Sequence, residues 1–401
     1  MFDIGRRFRM NGRTAVLGLA AGLSLVWASC GGAATSAPVP SAGAASASAP
    51  TAASGSAASK PAASASTPAS VSAPASASAA AKPASSAVAP VTTPKFTLRY
   101  GHNQPTATSQ HKAIEVFKKL VEERSKGAIQ IQIFPQGQLG TLAQQTEAVG
   151  LGTLDFTQQP SSVATVYDPA LVALDLPYLF PVEDVALKVL NGPLGDSLMS
   201  GLQAKGIRGL GLWAAGFNQI TTGNKAVHTP DDLKGLKMRV LPSPVLTATF
   251  KVWGASPTNI DYSQLYTALQ QKVVDGEENP LFTLAQIKLF EVQKFVSLTN
   301  HRLFVYTTLM SKKTHDSLPA DLQQVVVQAD RDALVEYVKL IHQEDADARK
   351  TVEDKGMTVV TLKPEEIDAF RKASQPVYSQ FADQIGPDLL KQLQAAGSAS
   401  S

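Results

Sequence analysis

The sequence predicts a two-lobed α/β protein that follows a long segment unable to fold. Three observations lead there. Of the 64 residues from Gly31 to Pro94, 49 are Ala, Ser or Pro, and the only charges are Lys60 and Lys82. Such a tract lacks the large apolar side chains that offset chain entropy. The 307 residues from Lys95 to Ser401 are enough for two lobes around separate cores. Within them, stretches of strand period alternate with stretches of helix period.

The N-terminus reads as an address. Arg6, Arg7, Arg9 and Arg13 precede an apolar stretch from Thr14 to Trp27. That stretch falls short of the roughly 20 residues a bilayer span needs, and it suits a signal peptide. Ala28 and Ser29 stand directly before Cys30, the one cysteine of the chain. The arrangement is similar to a lipobox, in which Cys30 would be acylated and become the mature N-terminus, although Trp27 departs from the usual aliphatic residue. Residues 1–30 are therefore expected to be a lipoprotein-type signal peptide. Residues 31–94 then form a disordered tether, with a root-mean-square span of roughly 45 Å. The expected location is extracytoplasmic, with the body leashed to a membrane by its lipid.

In the body, FTLRYG (96–101) and IQIQIF (129–134) have strand character, the second with Ile129, Ile131 and Ile133 on one face. Between them Ala113, Val116, Phe117, Leu120 and Val121 mark a helix, with Ser109 as N-cap and Gly127 as stop. This βαβ pattern implies a parallel sheet. Further strands are predicted at 153–158, 207–213, 236–241, 255–260, 294–299 and 357–362. Helices are predicted at 183–204, 243–252 and 261–272. Thr229-Pro230-Asp231-Asp232 reads as a helix start with Thr at the N-cap and Pro at N1. From Pro319 to about Asp354 a helical pattern runs without internal Gly or Pro. It exceeds ordinary helix length, so it is expected to cross between lobes.

Composition and motifs exclude several functions. Residues 1–94 carry six Lys or Arg against one Asp, whereas the rest has 30 basic against 32 acidic residues. A body near neutrality with no basic stripe argues against nucleic acid as partner. A single cysteine excludes internal disulfides, CxxC chemistry and cysteine zinc sites. The six histidines show no HExxH or HxxxH spacing and are expected to be solvated or satisfied locally, so no metal is expected. No GxSxG, P-loop, GxGxxG or EF-hand loop is present, which points away from catalysis and resident cofactors. Adjacent acids such as Asp231/Asp232 and Glu277/Glu278 read as caps or solvated turns.

Six segments, in order, resemble a known family. They are FPQGQLG (134–140), VGLGTLDF (149–156), LDLPYLF (174–180), TPDDLKGLKMRV (229–240), YTALQQKVVDGEENP (266–280) and FEVQKFVSLTNH (290–301). Together they are similar, across roughly residues 95–345, to the solute receptors of tripartite ATP-independent periplasmic (TRAP) transporters, the DctP-like family. The resemblance implies a periplasmic-binding-protein fold of two lobes joined by long strands and a long helix. The first lobe would hold 95–215 and 305–343, the second 216–304 and 344–397. An organic acid would lie in the cleft, and ion-coupled TRAP permease subunits would accept the loaded receptor. The alternatives are a receptor of the same fold feeding a sensor kinase and, with less support, an extracytoplasmic enzyme.

The residues agree with this reading at one point above all. Alternation in LKMRVL puts Met238 and Val240 on one face and Lys237 and Arg239 on the other. A charge in a covered central strand needs a partner. The resemblance implies that Arg239 clamps the ligand carboxylate, a task suited to its planar fork. It also implies that Asn279, on a turn facing Arg239, assists. Asn218 stands where many relatives carry a second arginine, so a monocarboxylate with a polar group facing Asn218 is expected. Asn103, Gln158 and Gln159, at the C-terminal ends of strands, are the expected contribution of the first lobe. Pro160 replaces a carboxylate of sialic-acid-type receptors. Tyr262 is an expected border of the pocket, with Tyr266 on the same helix face. Should a dicarboxylate be preferred, Lys237, His301 and Arg302 are the cations to consider.

Overall fold

The computed structural model of the protein describes residues 95–398. The expected signal peptide, Cys30 and the tether lie outside the described residues. The body is a mixed α/β structure in two lobes organised by one nine-stranded sheet among the described residues. Its strands are β1 (Phe96–Gly101), β2 (Ile129–Phe134), β3 (Phe156–Pro160), β4 (Ile207–Thr222), β5 (Lys237–Val240), β6 (Ser256–Asn259), β7 (Gly276–Asn279), β8 (Phe295–Ser311) and β9 (Thr358–Thr361). The order is β2-β1-β3-β8-β4-β7-β5-β6, with β9 beside β8.

The long strands β4 and β8 pair antiparallel along their whole length. One end of this ribbon carries the first lobe: β3 pairs with β8 from Pro160↔Tyr306 to Phe156↔Met310, and β1 and β2 follow in parallel. The other end carries the second lobe: β7 pairs with β4 from Gln219↔Asn279 to Thr222↔Gly276, and β5 and β6 follow in parallel. The expected parallel pairing thus holds within each lobe, while the centre is antiparallel. The ribbon shifts register between Ala214 and Phe217 and again between Asn218 and Ile220. Gly216 adopts a φ of 77° in the first shift, a backbone that favours glycine. Such bulges bend a strand and increase its twist.

Local sequence explains most elements. The helix Ser109–Arg124 buries Ala113, Ile114, Phe117 and Val121, and its cap is Thr108, whose hydroxyl accepts from the His111 amide at 3.2 Å. The cap falls one residue before the expected Ser109 because Thr108 is the last extended residue. At Thr229 the expected cap is present, with Asp232 completing a capping box. The helix Ala320–Asp354 has 35 residues. Its buried stripe, from Leu322 through Tyr337 to Val352, lies against helix Ser109–Arg124 of the first lobe, β4 and helix Leu281–Gln286 of the second.

Three expectations are corrected. The helix expected over 183–204 is broken into Glu183–Leu190, Pro193–Leu198 and a 3-10 turn at Ser200–Lys205. Pro193 starts the second piece, and Gly195 sits so close to the Leu190 carbonyl that a Cβ would come within 1.9 Å of it. The strand expected at 294–299 runs on to Ser311, and residues 301–311 are buried throughout. Glu277 and Glu278 are neither cap nor solvated turn: they lie in β7 with 0% and 1% exposure. Two buried arginines make that possible, Arg239 for Glu277 and Arg302 for Glu278.

Candidate functional site

The site forms where the two lobes meet on the β4/β8 ribbon, at the C-terminal ends of β1, β3, β5 and β7. This is the end at which α/β sheets place ligands. β5 lies between β7 and β6, covered on both sides, so Arg239 is fully buried. Its Nε donates to the Ile260 carbonyl at 2.9 Å. Its Nη1 and Nη2 have no hydrogen-bond partner. Burial pulls the Arg239 pKa below its usual value, and Glu277, Glu278, Asp261 and Tyr262 oppose that pull. A buried guanidinium with two idle donors is costly, and here Arg239 lines a small cavity of about 10 Å³.

Both lobes line that cavity. The first lobe contributes Asn103, Gln104 and Gln110 after β1, Leu142, and Gln158, Gln159 and Pro160 of β3. The second contributes Arg239, Leu241, Tyr262, Asn279 and Thr283, while Phe304 and Tyr306 come from β8. A hydrogen-bond relay crosses the junction. The Tyr262 hydroxyl donates to Gln104 Oε1 at 2.9 Å, and Gln104 Nε2 donates to the Tyr306 hydroxyl at 3.1 Å. Asn103 is held by its own neighbours: its amide donates to the Gly140 carbonyl at 3.1 Å, and its Oδ1 accepts from Gln145 and Gln159 at 3.0 and 3.2 Å. Gln158 donates to the Thr308 hydroxyl at 2.9 Å. The Oε1 atoms of Gln110, Gln158 and Gln159 have no partner. Arg239, Gln110, Gln158 and Gln159 all line the cavity, and each carries a buried polar atom without a partner.

Of the expected residues, the structure brings Arg239, Asn279, Asn103, Gln158, Gln159 and Tyr262 to this cavity. Asn279 arrives on β7 rather than on a turn, with its amide bonded to Glu277. Tyr266 points away, donating to Glu291 at 2.6 Å. Asn218 is corrected. It is fully buried and absent from the cavity lining, and its amide donates to Glu278. The bulges on either side of it alter the alternation of β4, so the side chain turns into a charged cluster outside the cavity.

That cluster also accounts for the other cations. Arg302 lies between Asp175 and Glu278, at 3.1 Å from each. Asp175 further accepts from Ser162 at 2.6 Å and Ser243 at 2.7 Å. Burial pushes the Glu278 pKa up, but Arg302, His301 and Asn218 outweigh it and hold the group at about 2. Burial holds His301 below its usual pKa. Lys237 is exposed at the start of β5. Arg302, His301 and Lys237 are all absent from the cavity lining, so Arg239 is its one charged side chain among the described residues.

Sequence reasoning missed Gln104, Gln110, Leu142, Leu241, Thr283, Phe304 and Tyr306. Gln104 was within reach, one residue beyond Asn103 in the same loop. Phe304 and Tyr306 alternate on the part of β8 that the sequence did not reveal. The expectation that histidines are locally satisfied fits His102 only in part: its Nε2 meets His111 Nδ1 at 2.9 Å, while its Nδ1 is unpartnered. Among the described residues no cluster could hold a metal ion, and no helix is long and apolar enough to cross a membrane.

Comparison with known proteins places this geometry. Residues 100–384 match the family described as bacterial extracellular solute-binding protein, family 7 (DctP). The 2,3-diketo-L-gulonate-binding periplasmic protein YiaO of Escherichia coli K12 is 34% identical over 302 residues, covering 74% of this chain and 90% of that protein. A TRAP periplasmic solute-binding protein from Sulfurospirillum deleyianum, solved with bound succinate, is 33% identical with a TM-score of 0.72. The match covers 76% of this chain and all, 100%, of that one. The sugar acid binding protein DctPAm from Advenella mimigardefordensis, solved in complex with galactonate, is 32% identical with a TM-score of 0.73, covering 76% and 98% of the two chains.

Proposed function

The chain belongs to the family of bacterial extracellular solute-binding proteins, family 7 (DctP), and from that premise we propose that it is the extracytoplasmic receptor through which a TRAP transporter collects an organic acid. Its relatives are binding proteins rather than enzymes. The observation that carries the finer reading is the pair of unpartnered Nη atoms on the fully buried Arg239, bordering a cavity between lobes. A ligand carboxylate accepts from both, and Asn279 borders the same space.

The ligand is a monocarboxylate bearing hydroxyl or keto groups. A second carboxylate would be desolvated with no second cation in the lining, which is strongly unfavourable. This support replaces the argument from Asn218, whose amide is committed to Glu278. The idle amide oxygens of Gln110, Gln158 and Gln159 accept from ligand hydroxyls. A ligand bridging both lobes stabilises the folded state, so melting temperatures read its binding. Galactonate should raise the melting temperature more than galactarate, which carries a carboxylate at each end. A larger shift with galactarate would sink the monocarboxylate reading.

The lobes are proposed to comprise 95–215 with 305–343, and 216–304 with 344–397. β3 joins the ribbon along Tyr306–Met310 of β8, and β7 joins it only from Gln219 of β4 onward, which supports that division. Cys30 is proposed as a lipid anchor, since it is the one cysteine and ends the apolar N-terminal stretch. Cys30→Ser should release a folded receptor into the soluble fraction. Retention in the membrane fraction after signal cleavage would exclude the anchor.

A further inference from the structure

One buried carboxyl next to the clamp has no part in the reading so far. Glu277 is fully buried in β7, and the parallel register sets it opposite Arg239 of β5. Its Oε1 accepts from the Thr221 hydroxyl of β4 at 2.9 Å, and its Oε2 accepts from the Asn279 amide. Arg239 acts on it through charge alone, because the single hydrogen bond of the guanidinium goes to Ile260. The other ionisable groups facing Glu277 are Glu278 on its own strand and Tyr262 beyond β6. Glu278 is committed to Arg302. Arg239 is thus the cation that offsets a Glu277 carboxylate, and it is also the one charged side chain lining the cavity among the described residues.

We propose that Glu277 is a proton-accepting positioning residue of the clamp: when ionised in the empty receptor it is the carboxylate counter-charge of Arg239, and it becomes a carboxylic acid when a ligand carboxylate takes the guanidinium, so that ligand and proton bind together. The inference rests on the carboxylate-receptor reading. The proton comes from solvent and adds to a Glu277 oxygen; no other bond changes.

The electrostatics give the direction. Burial pushes the Glu277 pKa up to about 7, against the pull of Arg239. Near neutrality the free receptor therefore holds Glu277 in both forms. A ligand carboxylate at the same guanidinium adds a like charge, which raises that value further. Below pH 7 Glu277 is already neutral, and binding takes up little proton. Above it, binding must draw in a proton, so affinity falls as pH rises, by about tenfold per pH unit until the bound-state value is reached.

The test uses the mature receptor and galactonate as probe. Unbuffered wild-type protein at pH 8 should take up close to one proton per bound galactonate, recorded in a pH-stat. Its dissociation constant should weaken about tenfold between pH 6 and pH 8. Glu277→Gln should bind without proton uptake and with a flat pH profile over that range. Glu277→Asp keeps a carboxyl and should keep the uptake, which a purely structural role would not predict. Wild-type binding without uptake overturns the inference and leaves the receptor reading standing, as does equal uptake by Glu277→Gln. Absence of galactonate binding from pH 5.5 to 8.5 overturns the ligand class on which the inference rests.

Discussion

Arg239→Lys is expected to lose most of the affinity for a carboxylate ligand even though it keeps the charge. In a closed cleft, truncating one partner of a desolvated charge pair costs roughly 2–5 kcal/mol. That is about 30- to 5,000-fold in dissociation constant. Lysine offers a point charge on a flexible stem where the site presents a planar fork. It also gives up the Nε bond to Ile260 that aims the fork at the cavity. Calorimetry with galactonate on the two proteins measures the loss. Near-wild-type affinity in Arg239→Lys would mean that the carboxylate is held elsewhere, or by backbone donors.

The second large effect is on stability. Arg302→Met removes the cation between Asp175 and Glu278, all three fully buried. Breaking such a cluster costs about 3–5 kcal/mol, because uncompensated buried charges remain. The pH dependence should change sign. In the wild type Glu278 is held at about 2, below its usual value. It therefore contributes stability that is present at neutral pH and lost as pH falls toward 2. Without Arg302, burial is opposed at Asp175 only by Ser162 and Ser243, and at Glu278 by His301 and Asn218, so the already raised Asp175 pKa and that of Glu278 both move up and protonation relieves the strain. Urea denaturation should show a deficit at pH 7 that shrinks at pH 5. An equal deficit at both values, or one under about 1 kcal/mol, would show that Arg302 does not hold the cluster.

These two arginines mark what could be read from the sequence. Arg239 was legible because its short strand alternates cleanly and its neighbours in sequence cover it. The long helix was legible because 35 residues of periodic pattern carry no internal Gly or Pro. β7 was not. Gly276-Glu277-Glu278-Asn279 reads as a polar turn until Arg239 and Arg302, distant in sequence, are known to neutralise it. The same holds for β8, whose Asn300-His301-Arg302 looks like the end of a strand. Asn218 lies outside the cavity lining for a different reason. Its expected place came from the resemblance, and the bulged backbone of β4 turns its side chain toward Glu278 instead. The ribbon has register shifts on both sides of Asn218, and Gly216, inside one of them, is a local sign of it.

The shared ribbon of β4 and β8 also governs how the chain reaches its native state. β3 finds its antiparallel neighbour about 150 residues further on, with Gln159 opposite Thr307. Loop closure over such distances slows folding. β3 lacks its β8 partner until Met310 has been synthesised, and β9 joins the other part of β8 only at Thr361. The nascent chain therefore cannot finish its N-terminal lobe first, as chains of separable domains do. Because both lobes share the β4/β8 pair, they are expected to assemble and melt together.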